Sequence, residues 1–92
     1  MDYLQVSKVM KAIAEPNRLK ILDVISSGEK CACEILNHFD FTQPTLSHHM
    51  KVLMEAGLVS ARKAGNWQYY SLVSENIEEF TGLLNQIFLN NG

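Results

Sequence analysis

Apolar residues recur at helical spacing along most of the chain, and the pattern changes once. Over residues 3 to 14 they fall at Leu4, Val6, Val9, Met10, Ile13 and Ala14. That is close to the three-and-four step of one helical face. Pro16 follows, with Glu15 before it. Proline suits a first helical turn, where its missing N–H leaves no extra bond unmade, so a second helix starts there. It carries Leu19, Ile21, Leu22, Val24 and Ile25 and ends at Ser26-Ser27-Gly28. Ile21, Leu22 and Ile25 form its core stripe; Arg18 and Lys20 are expected in solvent.

A third, short helix is predicted from about Cys31 to His38, with Ile35 and Leu36 inward. "FDFT" makes a turn. Thr42 is a natural N-cap, and Pro44 is tolerated because it lies in the first turn of the next helix. That fourth helix runs to about Ala56, with Gly57 as its C-cap. Leu46, Met50 and Leu53 step by four and three, so they form its buried face. Gln43, Thr45, Ser47, His48 and Lys51 are left on or near the opposite face. His49, three residues after Leu46, is expected half-buried.

After Gly57 the period shortens to two. "LVSARKAGNWQYYSL" alternates apolar and polar residues across Gly65-Asn66, a β-hairpin pattern. Its Trp67, Tyr69 and Tyr70 are expected as packing residues. A last helix, capped at about Ser74, carries Ile77, Phe80, Leu83, Leu84, Ile87 and Phe88 on one broad stripe. Its early Glu75, Glu78 and Glu79 suit the helix dipole. Helix, helix, helix-turn-helix, hairpin, helix is the order of a winged helix-turn-helix. The fold class is mostly α with a small β-hairpin, in one domain over residues 1–92. Such a unit lays its second turn-flanking helix in the DNA major groove.

Composition adds limits. With 92 residues a lone core is thin, and a partner chain would add to it. The stripes at Leu4 to Ile13 and Ile77 to Phe88 exceed what one small core hides, which points to an interface. No apolar run approaches the roughly 18 residues of a membrane span. The N-terminal stretch lacks a signal pattern, and the chain is read as cytoplasmic. Net charge is −2, which does not advertise a nucleic-acid binder, but the distribution does more. Between Thr42 and Tyr70 stand Lys51, Arg62 and Lys63 against Glu55 alone, with His48 and His49. Gln43, Thr45, Ser47 and His48 are of the kind that reads base edges. Lys51, Arg62 and Lys63 suit phosphates, which fix register.

The two cysteines, Cys31 and Cys33, open the third helix. In a cytosolic setting they are expected reduced, and a disulfide over so short a loop adds little stability. On an ideal helix, residues two apart point roughly 200° apart. Both thiolates therefore grip one ion only if the first turn opens. Thiolates are soft ligands and select soft ions; Lys30 and the helix N-terminus favour the thiolate form.

"EPNRLKIL", "FTQPTLSHHMKVLMEAGLV" and "RKAGNWQYYSL" closely resemble blocks of the ArsR/SmtB family of bacterial metal-sensing repressors, across roughly residues 5 to 90. The resemblance implies a homodimer joined through the first and last helices. It implies a repressor on double-stranded operator DNA that leaves when an effector binds, with no obligatory cofactor. By it, Gln43, Thr45, Ser47 and His48 contact bases and Arg62 and Lys63 the backbone. Asn66 departs from the family, which often has a basic residue at the wing tip. "CACEIL" is similar to the Cys-x-Cys element of the family's arsenite and antimonite sensors, which makes As(III) or Sb(III) the expected effector at Cys31 and Cys33. The third cysteine of the best-known version is here Leu36. A third ligand would come from a small thiol, solvent or the partner chain.

Three rivals compete with that reading. One keeps the fold and makes the pair a thiol redox switch. Another is a winged helix that binds protein rather than DNA, against which the polar face from Gln43 to Lys51 speaks. The last is a thiol oxidoreductase, but the Cys-x-x-Cys and βαβ pattern it needs is missing.

Overall fold

The structure, a computed structural model, describes residues 1–89. The helix boundaries follow local capping chemistry. α1 (Tyr3–Ile13) opens on a capping box, with Asp2 and Gln5 each accepting the other's backbone N–H. α2 (Pro16–Ile25) opens on Glu15, whose carboxylate accepts from the Asn17 and Arg18 N–H groups. α4 (Gln43–Glu55) starts after Thr42, whose hydroxyl faces Thr45 and makes no bond to the helix backbone. It stops in a Schellman motif. The Leu58 N–H reaches the Leu53 carbonyl and the Gly57 N–H reaches Met54, while Gly57 takes φ +79°. This left-handed turn is why a glycine stands there.

The hairpin forms as its alternation predicts. β2 (Val59–Ala64) pairs antiparallel with β3 (Trp67–Leu72). Gly65 has φ +62° while Asn66 stays negative, the glycine-first pattern of a type II′ turn. A further strand was not expected. β1 (Lys30–Cys31) adds to the free edge of β3, giving the order β1-β3-β2.

That strand displaces the start of the third helix. α3 spans Ala32–Leu36, not Cys31 to His38, because Cys31 is spent on the sheet and serves as N-cap. The last helix, α5 (Ser74–Phe88), begins one residue earlier than the sequence suggests. Val73 holds the cap position and Ser74 is already helical.

The core lies where α1 to α4 meet the sheet, built from Val9, Ile21, Ile25, Ile35, Leu46, Met50 and Leu53. Met50 and Leu53 are 0% exposed and Leu46 1%, so the buried face of α4 is the one its spacing predicts. Burial of each such side chain contributes about 1.5–3 kcal/mol. α5 buries Phe80 but leaves Ile87 and Phe88 exposed; α1 likewise exposes Tyr3 and Leu4. Among the described residues no helix is long and apolar enough to cross a membrane.

Candidate DNA-reading face and thiol pair

The outer face of α4 carries Gln43, Thr45, Ser47, His48 and Lys51, all exposed. Its inner face is fixed to the body by apolar packing and by one polar knot. Arg18 of α2, expected in solvent, is instead largely buried. Its side chain is only 15% exposed. Its Nε donates to the Ala12 carbonyl at 2.6 Å and its Nη1 meets His49 Nδ1 at 3.2 Å.

A guanidinium only donates, so His49 Nδ1 accepts and the neutral ring carries its proton on Nε2. Burial pushes the His49 pKa down; Glu15 pulls it up, and Arg18 and His48 push it down further. Burial also pushes the Glu15 carboxyl up, but the Asn17 and Arg18 N–H groups and the Arg18 charge, joined by His49 when it is protonated, outweigh it and hold it low. Phe41, stacked on Phe39 at 4.5 Å, closes the other side of His49. The reading helix is thus pinned to the end of α1 and the start of α2.

On the wing, Lys63 and Arg62 are both exposed. Arg62 is nevertheless engaged. Its Nε and Nη2 donate to the two carboxylate oxygens of Glu29 at 2.8 and 2.7 Å. Its guanidinium lies 4.7 Å from the Tyr69 ring centre. The Arg62 hydrogen bond holds the Glu29 carboxyl below its ordinary range. Tyr70 is buried, as a packing residue should be, and Tyr69 is half-buried under Arg62. Trp67 is different: at 48% exposed, it stands at the wing tip rather than in the core.

The cysteines overturn one expectation. Cys31 is extended (φ −66°, ψ 146°) and lies ahead of the helix, so the 200° separation does not apply. The Cα atoms are 5.2 Å apart and the two sulfurs meet in disulfide contact, where a reduced pair was expected. The helix stays intact: Cys31 Sγ accepts from the Cys33 N–H, and Glu34 accepts from the Cys31 N–H. Both sulfurs therefore reach one point without opening the first turn. Cys31 is buried, Cys33 half-buried, and Leu36 lies partly buried against the core. Among the described residues no three His, Cys, Asp or Glu side chains are grouped to hold a metal ion, so the donor set here is two sulfurs.

The sequence profile described as "Bacterial regulatory protein, arsR family" matches residues 15–61, which takes in α2 to the start of the wing. The chain belongs to the ArsR family. This ArsR-family transcriptional repressor is 50% identical over 78 residues to the arsenical resistance operon repressor of Staphylococcus xylosus, covering 85% of this chain and 75% of that protein. It is 45% identical to the arsenical resistance operon repressor of Staphylococcus aureus, over 99% of this chain and 88% of that one. Among solved structures it is similar to the homodimeric winged helix-turn-helix DNA-binding domain of a possible ArsR-family regulator from Mycobacterium bovis. That likeness has 34% identity and TM-score 0.75, covering 90% of this chain and 77% of the other. These relatives are DNA-binding regulators, and the family is not one of enzymes.

Two residues of this site give no sign of their role in the sequence, Arg18 and Glu29. Arg18 sits in "EPNRLKIL", and a basic residue two places after a helix-starting proline gives no sign of burial. Glu29 sits in a loop 33 residues from its partner, beyond any local pattern.

Proposed function

We propose that this repressor binds double-stranded operator DNA as a homodimer and leaves it when arsenite or antimonite bridges Cys31 and Cys33. The observation that carries the reading is the convergence of both sulfurs at the N-terminus of α3, the first helix of the helix-turn-helix. The names of the staphylococcal relatives support the effector class. Each thiol replaces one hydroxyl of arsenous acid and releases one water per As–S bond. Two positions of a three-coordinate As(III) are filled this way; a small thiol, solvent or the partner chain supplies the third.

Coupling to DNA no longer needs an opened turn. Cys31 belongs to the strand paired with the wing, and Cys33 to the first turn of α3. A bridge between them fixes the junction of wing and helix-turn-helix, so effector and DNA favour different settings of that junction. On the DNA side, Gln43, Thr45, Ser47 and His48 read base edges; Lys51, Arg62 and Lys63 take phosphates. The repressor works in the cytoplasm, as one domain.

The test is an operator-binding titration of the reduced protein, using a fragment from upstream of its own gene, with and without arsenite. Saturable arsenite binding that releases the DNA supports the reading. DNA binding that ignores arsenite removes the effector from it. Replacing Ser47 and His48 together with alanine should weaken operator affinity by at least about tenfold, the equivalent of one base-edge contact. Affinity for unrelated DNA should change little. Equal losses on both DNAs would remove these two from base reading.

The dimer rests on the apolar faces that one chain leaves open. Tyr3 is 81%, Leu4 74% and Phe88 73% exposed, and such patches normally mark an interface. Sedimentation equilibrium should give a dimer, and Leu4→Lys with Phe88→Lys should give a monomer that binds operator poorly. A wild-type monomer at micromolar concentration would end the dimer reading.

A second reading is favoured by the sulfur–sulfur contact itself. The pair closes by oxidation, two thiols giving up two electrons and two protons to an oxidant as the S–S bond forms. Release by diamide but not by arsenite selects this reading.

A further inference from the structure

The wing arginine and the thiol pair lie on one rung of the sheet. Tyr69 of β3 is the register partner of Cys31 on one side and of Arg62 on the other. Arg62 covers the ring of Tyr69 and reaches past it to Glu29, two residues before Cys31. The pairing is bidentate, through Nε and Nη2. Arginine takes a phosphate with the same planar fork, so the carboxylate and a DNA phosphate compete for the same N–H groups. In this structure the sulfurs are in contact and Arg62 is held by Glu29, both at once.

We propose that Glu29 is a positioning residue: it withholds Arg62 from the DNA backbone when the Cys31/Cys33 pair is closed and yields it when the pair is open. This rests on the thiol-sensing reading above. The link is short. Lys30 and Cys31 form the whole of β1, so a change in the Cys31 torsions moves the residue next to Lys30 on the other side. Closing the pair seats the Glu29 carboxylate on Arg62; opening it lets the guanidinium turn to a phosphate. The pair is closed by arsenite, with loss of water, or by diamide, which takes up the two electrons and two protons. Glu29 thus works through Arg62 and touches no DNA itself.

The salt dependence of operator binding reads this contact directly, because each phosphate contact contributes about −0.9 to the slope of log affinity against log salt. The experiment measures that slope for wild type and Glu29→Gln, each reduced, arsenite-treated and diamide-treated. In wild type, either closing treatment that releases DNA should flatten the slope by about one per protomer. In Glu29→Gln the slope should stay at its reduced value, and the fold-change in affinity on closure should shrink. Arg62→Ala should show the flat slope in every state, with no further effect of Glu29→Gln. If wild type releases DNA with an unchanged slope, or Glu29→Gln flattens as wild type does, the Glu29 proposal fails and thiol sensing stands. If neither treatment weakens wild-type binding, thiol sensing fails and takes this proposal with it.

Discussion

Replacing Arg18 with alanine should destabilise the folded protein by about 3 kcal/mol at neutral pH, because two buried acceptors lose their donor together. One is the Ala12 carbonyl near the end of α1, which that helix leaves unpaired. The other is His49 Nδ1 on the reading helix. A stranded buried acceptor costs about 1–3 kcal/mol, and two together reach the stated loss.

Lysine should recover only part of it, since a single ammonium does not span both acceptors as the guanidinium fork does.

The loss should depend on pH, and the sign follows from the knot. In wild type His49 titrates below its ordinary 6.5, chiefly through burial. As pH falls through that ordinary value the unfolded chain takes up a proton that the folded chain refuses, so stability drops from there down to the folded pKa. Glu15, also held low, acts in the same direction at more acid pH, its contribution being lost as pH falls through its folded value. Without Arg18 a like charge no longer opposes protonation, and Glu15 Oε2 lies 3.6 Å from His49 Nδ1. Protonated His49 then donates to Glu15. The gap between variant and wild type should therefore narrow from pH 8 to pH 5.5 in urea unfolding. A variant within about 0.5 kcal/mol of wild type at pH 8, the range of ordinary surface substitutions, would show that the knot does not hold α4.

The long periodic elements were legible in the sequence because burial selects residues at a fixed spacing. Leu46, Met50 and Leu53 declare the inner face of α4, and that leaves Gln43 to Lys51 outside. Glycines at Gly57 and Gly65 mark places where the backbone needs positive φ.

What could not be read was made by contacts between distant segments. A strand of two residues has no period, so β1 was invisible and Cys31 was assigned to a helix it only caps. That single displacement changed the chemistry of the pair from divergent to convergent. Arg18 and Glu29 look like ordinary surface charges until their partners, 31 and 33 residues away, are in place. Trp67 was misjudged because alternation places residues on a face, while the wing tip has nothing on either side to cover it.

Cys31→Ser and Cys33→Ser should each abolish arsenite-driven release while leaving the resting repressor on its operator. The asymmetry follows from what each sulfur does. As a cap, Cys31 accepts one backbone N–H from Cys33, and serine is a better cap than most residues; α3 therefore keeps its start. Cys33 is half-buried, and its sulfur meets that of Cys31 in β1. As ligands the two act together, since the second As–S bond forms within the same molecule. Losing either one forfeits that intramolecular gain, at least about 100-fold in effector affinity. The expected data are operator affinities within a few-fold of wild type for both variants, and no DNA release at arsenite concentrations that empty the wild-type operator. Release that persists in Cys33→Ser would place the effector elsewhere in the dimer. Loss of resting DNA binding in Cys31→Ser, with the fold intact by circular dichroism, would mean that the buried sulfur itself sets the junction between wing and reading helix.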